Sequence, residues 1–297
     1  MRVLSLTILL LLCTTFAYAD ESKTDTRPSI APDIREDESK LKQQKGNFVA
    51  VPIPISNPTL GTGLVAGAAY FYKQTEEQAK VQPASVTGAG GLYTDNDSKA
   101  FAIGHQGYWS KNRWRVTSAI GAADLRLSLL SADQTPGGRN VDWRIKGGFL
   151  FAKLSRKLAG HWYGGLNLRV VDADQTFEPS EASLEFDLGS HVRSAGIGAS
   201  AEYDARDMPM NTYSGRYFKV DALFNDESLG SDKTYQSYSL AYRSYHELTD
   251  SLVLAWEVQG CKRGGTTPLW DACMIKLRGF SVTDYLGSET ASGQVEA

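Results

Sequence analysis

Residues 217–224 read Tyr217-Phe218-Lys219-Val220-Asp221-Ala222-Leu223-Phe224. In an extended chain successive side chains point to opposite faces. Phe218, Val220, Ala222 and Phe224 therefore share one side, and Tyr217, Lys219, Asp221 and Leu223 the other. One face is wholly apolar and the other mixed. Leu252, Leu254, Trp256 and Val258 repeat the pattern near the C-terminus. In Trp143-Arg144-Ile145-Lys146-Gly147-Gly148-Phe149 the odd positions are apolar or glycine, and Arg144 and Lys146 fall on even ones.

Working outward, the chain from Asn47 divides into short segments separated by turn residues. They lie at about 47–55, 61–73, 84–94, 99–109, 113–124, 142–154, 160–173, 192–204, 216–225, 234–246 and 251–261. No helical period is visible after residue 80. A soluble sandwich shows the same alternation, so length and aromatic placement decide. Ten extended residues rise about 33 Å and, tilted by about 45°, cover roughly the 25 Å apolar band of an outer membrane. Aromatics sit at segment ends. Tyr108 and Trp109 precede the turn Ser110-Lys111-Asn112 and Trp114 follows it; Trp162-Tyr163 and Tyr203 repeat the habit. Such placement forms interfacial girdles. With 14 Tyr, 11 Phe, 6 Trp and 28 Gly, the expected fold is an all-β, antiparallel transmembrane β-barrel.

The N-terminus names the compartment. Arg2 supplies a positive charge, Val3 to Leu12 an apolar core, and Ala17-Tyr18-Ala19 a cleavage signal before Asp20. Residues 1–19 read as a secretory signal peptide, too short to span a membrane as a helix. Cys13 follows Leu12, where a lipidation signal wants a small residue. Residues 20–46 are polar, with Pro28 and Pro32, and read as a disordered periplasmic tail. The barrel is expected over 47–297. Net charge is −3, or −4 once Arg2 leaves (30 basic against 34 acidic residues), with no basic face for nucleic acid.

Cys261 and Cys273 remain after signal removal. In an oxidising compartment they can close a loop of about 13 residues, worth about 3 kcal/mol on chain entropy. The alternative is two separate thiols. A zinc site lacks two further ligands at short spacing. Short connections at 110–112, 155–159 and 247–250, against long ones at 125–141 and 174–191, place the short ones on the periplasmic side. The segment after Cys261 is then extracellular.

That segment contains Lys276-Leu277-Arg278-Gly279-Phe280, after the eleventh strand by this count. An aliphatic-Arg-Gly-aromatic motif in this loop resembles the BamA/TamA superfamily of outer-membrane assembly barrels. Three other passages agree. Tyr203-Asp204-Ala205-Arg206-Asp207-Met208-Pro209, followed by Gly215, is similar to the family's strand–turn segment. Pro52-Ile53-Pro54-Ile55 through Gly61-Thr62-Gly63 resembles the first hairpin of short members, and Thr290 to Glu296 the start of the twelfth strand. The likeness runs from about residue 47 to the C-terminus.

The resemblance implies a sixteen-stranded barrel whose long loop folds back into the lumen, the motif Arg278 pairing with an acidic wall residue. Glu296 matches that position. An arginine in a narrow lumen favours a bidentate carboxylate, for which lysine is a poor substitute. The bland reading leaves Arg278 as a solvated loop residue. Asp204, Arg206 and Asp207 are expected to brace a periplasmic turn rather than to catalyse. About twelve of the expected strands fall within the sequence, which ends at Ala297 inside the twelfth; the barrel is therefore expected to be incomplete at its C-terminus. The family's periplasmic client-capturing domains have no counterpart in the short tail.

The expected function is insertion or translocation of other chains in the bacterial outer membrane, without covalent chemistry. The partners implied are outer-membrane lipid and client polypeptides. The alternative is a passive pore or surface antigen. His105, His161, His191 and His246 are scattered and sit in no nucleophile motif, so no enzyme is expected. The Gly-rich stretches 88–91 and 147–148 fit strands rather than a phosphate-binding loop, and no cofactor is expected.

Overall fold

The computed structural model describes residues 46–57, 60–129, 141–179, 190–207, 212–249, 251–275, 277–278 and 285–297. The predicted signal peptide, the predicted tail except Gly46, and Pro209, Gly279 and Phe280 lie outside the described residues. The chain forms a twelve-stranded antiparallel sheet in which each strand pairs with the next in sequence. The strands are β1 (Asn47–Asn57), β2 (Gly61–Phe71), β3 (Val86–Thr94), β4 (Lys99–Trp109), β5 (Trp114–Leu129), β6 (Val141–Ala159), β7 (Trp162–Pro179), β8 (Ser190–Asp204), β9 (Gly215–Asn225), β10 (Tyr235–Thr249), β11 (Leu252–Gly265) and β14 (Glu289–Glu296). Two-residue strands β12 (Cys273–Met274) and β13 (Leu286–Gly287) pair inside the β11–β14 connection. A one-turn helix, α1 (Glu76–Ala79), lies between β2 and β3. Among the described residues no helix is long and apolar enough to cross a membrane. Among the described residues β1 pairs only with β2, and β14 only with β11.

All eleven expected segments are strands, and the twelfth begins at Glu289, one residue before its expected start. The ends differ. Residues 125–129, 155–159 and 174–179 continue β5, β6 and β7, so the expected turn at 155–159 shrinks to residues 160–161; of the expected long loops, residues 130–140 and 180–189 lie outside the described residues. The reason lies in the outward side chains near the loop end. Asp124 takes Arg144 Nε at 2.7 Å, and Asp174 meets His191 Nδ1 at 2.9 Å. These charges sit beyond the apolar part of the strands and read as loop, although the ladder continues beneath them.

The sheet curls, and its faces are inverted relative to a water-soluble protein. On β7, Leu166 is 70% exposed while Tyr163 and Asn167 of the other face are 2% and 7% exposed. Cross-strand partners extend the apolar outer face: Ile103 opposes Ile120, which opposes Leu150, which opposes Val170. The belt ends in aromatics at the turn end. Trp109 pairs with Trp114, and Trp162 packs edge-on against Tyr203 and Phe218 at 5.2 and 6.3 Å. From Trp109 to Lys99 β4 rises about 33 Å.

The inner face carries the polar residues and few large ones at its tightest places. A Cβ on Gly198 would collide with the Ala222 carbonyl oxygen and sit 2.8 Å from Leu223 Cα, both backbone atoms of β9. Gly198→Ala should therefore cost about 3 kcal/mol or more, whereas Gly67→Ala, whose Cβ would meet only the Ala89 carbonyl at 4.0 Å, should be near neutral. Urea titration of both variants, read by heat-modifiable gel mobility, checks the contrast. Equal midpoints would show that the sheet is not curled this tightly.

Candidate functional site: the charged inner wall and the connection docked on it

The inner wall holds two ionic clusters at opposite ends. At the turn end, Arg115 of β5 reaches across β6 and β7 to β8, which requires a concave face. Its Nη1 lies 2.8 Å from Glu202 Oε1 and 3.2 Å from Asp204 Oδ2, and its guanidinium stacks 3.7 Å above the Tyr163 ring. Lys153 Nζ takes the other Glu202 oxygen at 3.2 Å, and Arg206 Nε takes Asp204 Oδ1 at 2.8 Å. The two carboxylates are 13% and 6% exposed. Nearby, Arg243 pairs with Glu257 at 2.7 Å.

This places the Tyr203–Gly215 motif. Tyr203 faces outward into the aromatic belt, while Asp204 and Arg206 face inward into the cluster. Asp207 accepts from Tyr213 N at 3.2 Å, and Ala205 N donates to Arg216 O at 3.0 Å. Gly215 adopts φ +114°, and a Cβ there would press on Ala205 O and lie 2.8 Å from Arg206 Cα. Only glycine permits this close return of the chain.

The loop-end cluster centres on Asp271, in the connection between β11 and β14. Arg169 of β7 donates to it from Nη1 at 3.0 Å and Nη2 at 2.5 Å. Ser237 Oγ adds a bond at 3.1 Å and Arg263 Nη2 another at 3.2 Å. Arg169 also donates to the Tyr235 hydroxyl at 3.1 Å, which donates to Ser194 Oγ at 3.1 Å. Tyr235 and Asp271 are 0% and 6% exposed. The β9–β10 connection that delivers Tyr235 is capped by Asp226, whose carboxyl is held below its ordinary value by the Ser228 hydroxyl and backbone N–H. Cys261 and Cys273 are joined in a disulfide with Cα atoms 5.6 Å apart, tying the connection to β11.

Beyond this anchor the connection brings Arg278 to β14. Arg278 Nη1 lies 3.4 Å from Glu296 Oε1. Glu296 opposes Ala255 at the turn end, whereas Glu289 opposes Lys262 at the loop end. Seven residues of β14, about 24 Å, separate the two levels. The contact is loose: the side chains are 85% and 46% exposed. Leu277 precedes it in the connection.

Solved structures share the fold. BamA from Haemophilus ducreyi, crystallised without its POTRA domains 1–3, superposes with a TM-score of 0.52 at 13% identity, over 80% of this chain and 45% of that one. The fold is that of a BamA-like barrel. At that identity the likeness is one of fold, and this chain spans less than half of that protein's length. No protein-family model matches the sequence, and no curated protein does.

Sequence reasoning missed Arg169, Asp271 and Arg263, the tightest contacts on the wall. A signal existed for the first: Asn167 and Arg169 alternate with Leu166, Leu168 and Val170. Asp271 follows Pro268-Leu269-Trp270, where nothing local marks a partner about 100 residues away. It also missed one Ser–His contact, Ser244 Oγ to His246 Nε2 at 2.9 Å. Ser244 is 1% exposed, and no carboxylate orients His246 among the described residues, so the pair lacks both access and its third member. Among the described residues no three His, Cys, Asp or Glu side chains are placed to hold a metal.

Proposed function

We propose that this chain resides in a bacterial outer membrane and assists the insertion or translocation of other polypeptides, as its BamA/TamA resemblance implies, without covalent chemistry. The apolar belt supports the location, because such a face is unstable against water. One observation supports the activity: the connection after β11 brings Arg278 to Glu296. In this reading the pair sets the position of the lumen segment while clients pass or pair. An ion pair this exposed contributes under about 1 kcal/mol to stability, so its role is positional.

The test uses vesicles containing the full chain and a small urea-unfolded outer-membrane barrel polypeptide as client. The chain should accelerate client folding. Arg278→Glu and Glu296→Arg should each lose most of that acceleration with nearly unchanged urea midpoints, and the double reversal should recover it. Failure of the double variant to recover would detach the pair from function. Ion conductance in planar bilayers, with no effect on client folding, would favour the passive pore.

A further inference from the structure

The β2–β3 connection shelters a pocket that the reading above does not use. Residues 72–85 take the place of β3 below Val86, where β4 continues to Trp109. Gln82 ties this segment to the neighbouring turn: its Nε2 donates to Tyr108 O at 3.1 Å, and its Oε1 accepts from Asn112 N at 3.1 Å. Helix α1 is capped by Thr75 and Gln78, each side chain bonding the other's backbone N–H. The result is a cavity of about 330 Å³ whose lining includes Tyr72, Lys73, Gln74, Gln82, His105 and Trp109, within the size range of small-ligand sites.

Three features define what would fit. The first is aromatic. His105 lies 5.9 Å from Tyr72 and 6.3 Å from Trp109, and the Tyr72 hydroxyl, Thr87 Oγ1 and His105 Nδ1 form a hydrogen-bonded chain at 3.0 and 2.8 Å. A Cβ on Gly107 would collide with the Trp109 ring and lie 2.8 Å from His105 Nε2, so glycine lets these rings close over β4. The second is charge. Lys73 is the only Lys, Arg, Asp or Glu in the lining, is exposed, and has no ion-pair partner among the described residues. The third is an orphan acceptor. Gln74 is 8% exposed, and its Nε2 donates to two carbonyls, Gln82 O at 3.1 Å and Pro83 O at 2.8 Å. Those bonds fix the amide orientation and leave Oε1 closed off from solvent with no donor among the described residues, a cost that an N–H group would relieve on entering as the segment gives way to admit it.

The pocket lies on the outer face at the level of the Trp109–Trp114 belt, where an embedded barrel meets lipid headgroups. Resting on the membrane reading, we propose that it binds the headgroup of a phospholipid bearing a primary amine. The phosphate meets Lys73, and the ammonium lies against the Tyr72 and Trp109 faces while donating to Gln74 Oε1. A quaternary trimethylammonium has no N–H to give, and a glycerol headgroup has no cation for the rings.

The full chain, carried in nanodiscs with equal phosphatidylethanolamine, phosphatidylcholine and phosphatidylglycerol of identical acyl chains, is released and weighed by native mass spectrometry. Retained adducts should favour phosphatidylethanolamine about tenfold, as expected for one added charge-assisted hydrogen bond. Gln74→Leu should abolish the preference, whereas Lys73→Gln should lower the retention of all three lipids, whose phosphate is common. Lys73 is exposed and has no ion-pair partner among the described residues, so its variant folds even if Gln74→Leu loosens the loop. Soluble glycerophosphoethanolamine should displace the lipid, and inorganic phosphate should not. Equal retention of the three lipids, a preference for phosphatidylglycerol, or displacement by phosphate alone would overturn the proposal. Protease protection in the same bilayers separates the premises: no insertion removes the membrane reading, whereas insertion without preference removes only this site.

Discussion

Asp271→Asn should undock the β11–β14 connection from the inner wall. The variant keeps the side chain's shape but removes the charge that accepts from Arg169, Arg263 and Ser237. Arg169 and Arg263 are then two largely buried cations, 21% and 13% exposed, facing one another with no counter-charge. Breaking a buried pair by removing one partner costs about 3 kcal/mol or more. The Cys261–Cys273 disulfide still holds Cys273 beside β11, so the connection loosens without leaving the wall. Hydrogen exchange should accelerate several-fold over residues 266–278, while β5–β8 stay protected. If exchange there is unchanged, the docking rests on the disulfide and not on the ionic cluster.

Arg115→Met is expected to have the larger effect on the sheet itself. Arg115 is the one residue touching Glu202, Asp204 and the Tyr163 ring together. Without it two carboxylates, two residues apart on one strand, are left with Lys153 and Arg206 alone. The expected loss is about 3–5 kcal/mol, read as a fall in the urea midpoint. Arg115→Lys should fall between, because an ammonium restores charge but neither the two-pronged geometry nor the stacking. A methionine variant as stable as the original would mean that water in the interior screens these charges as at a surface.

The strand framework was legible because a strand's period of two is a local property. Phe218, Val220, Ala222 and Phe224 face outward, as their spacing predicts, and all eleven segments appear in order. Strand ends were legible only to within several residues. At Arg144 and Lys146 the outward positions carry charge, so membrane-style alternation stops where the hydrogen-bonded ladder does not. The Tyr203–Gly215 passage could be read as a braced turn from its residue types. That Asp204 shares its cluster with Arg115, 89 positions away, could not.

By itself, the sequence determined strand number, alternation, the aromatic belt and the two cysteines near one loop. Each depends on neighbours a few residues apart, and on the energetic difference between a side chain facing an apolar medium and one facing water. The tertiary structure alone decided which charges meet. Arg169 and Asp271 lie 102 positions apart, and only the curl of the sheet, permitted by glycines such as Gly198, brings β7 against the connection after β11. The outer face of Phe218 and Phe224 could thus be read one residue at a time. The inner face is set by the curl of the sheet, and a one-dimensional pattern carries no record of which strands curve towards each other.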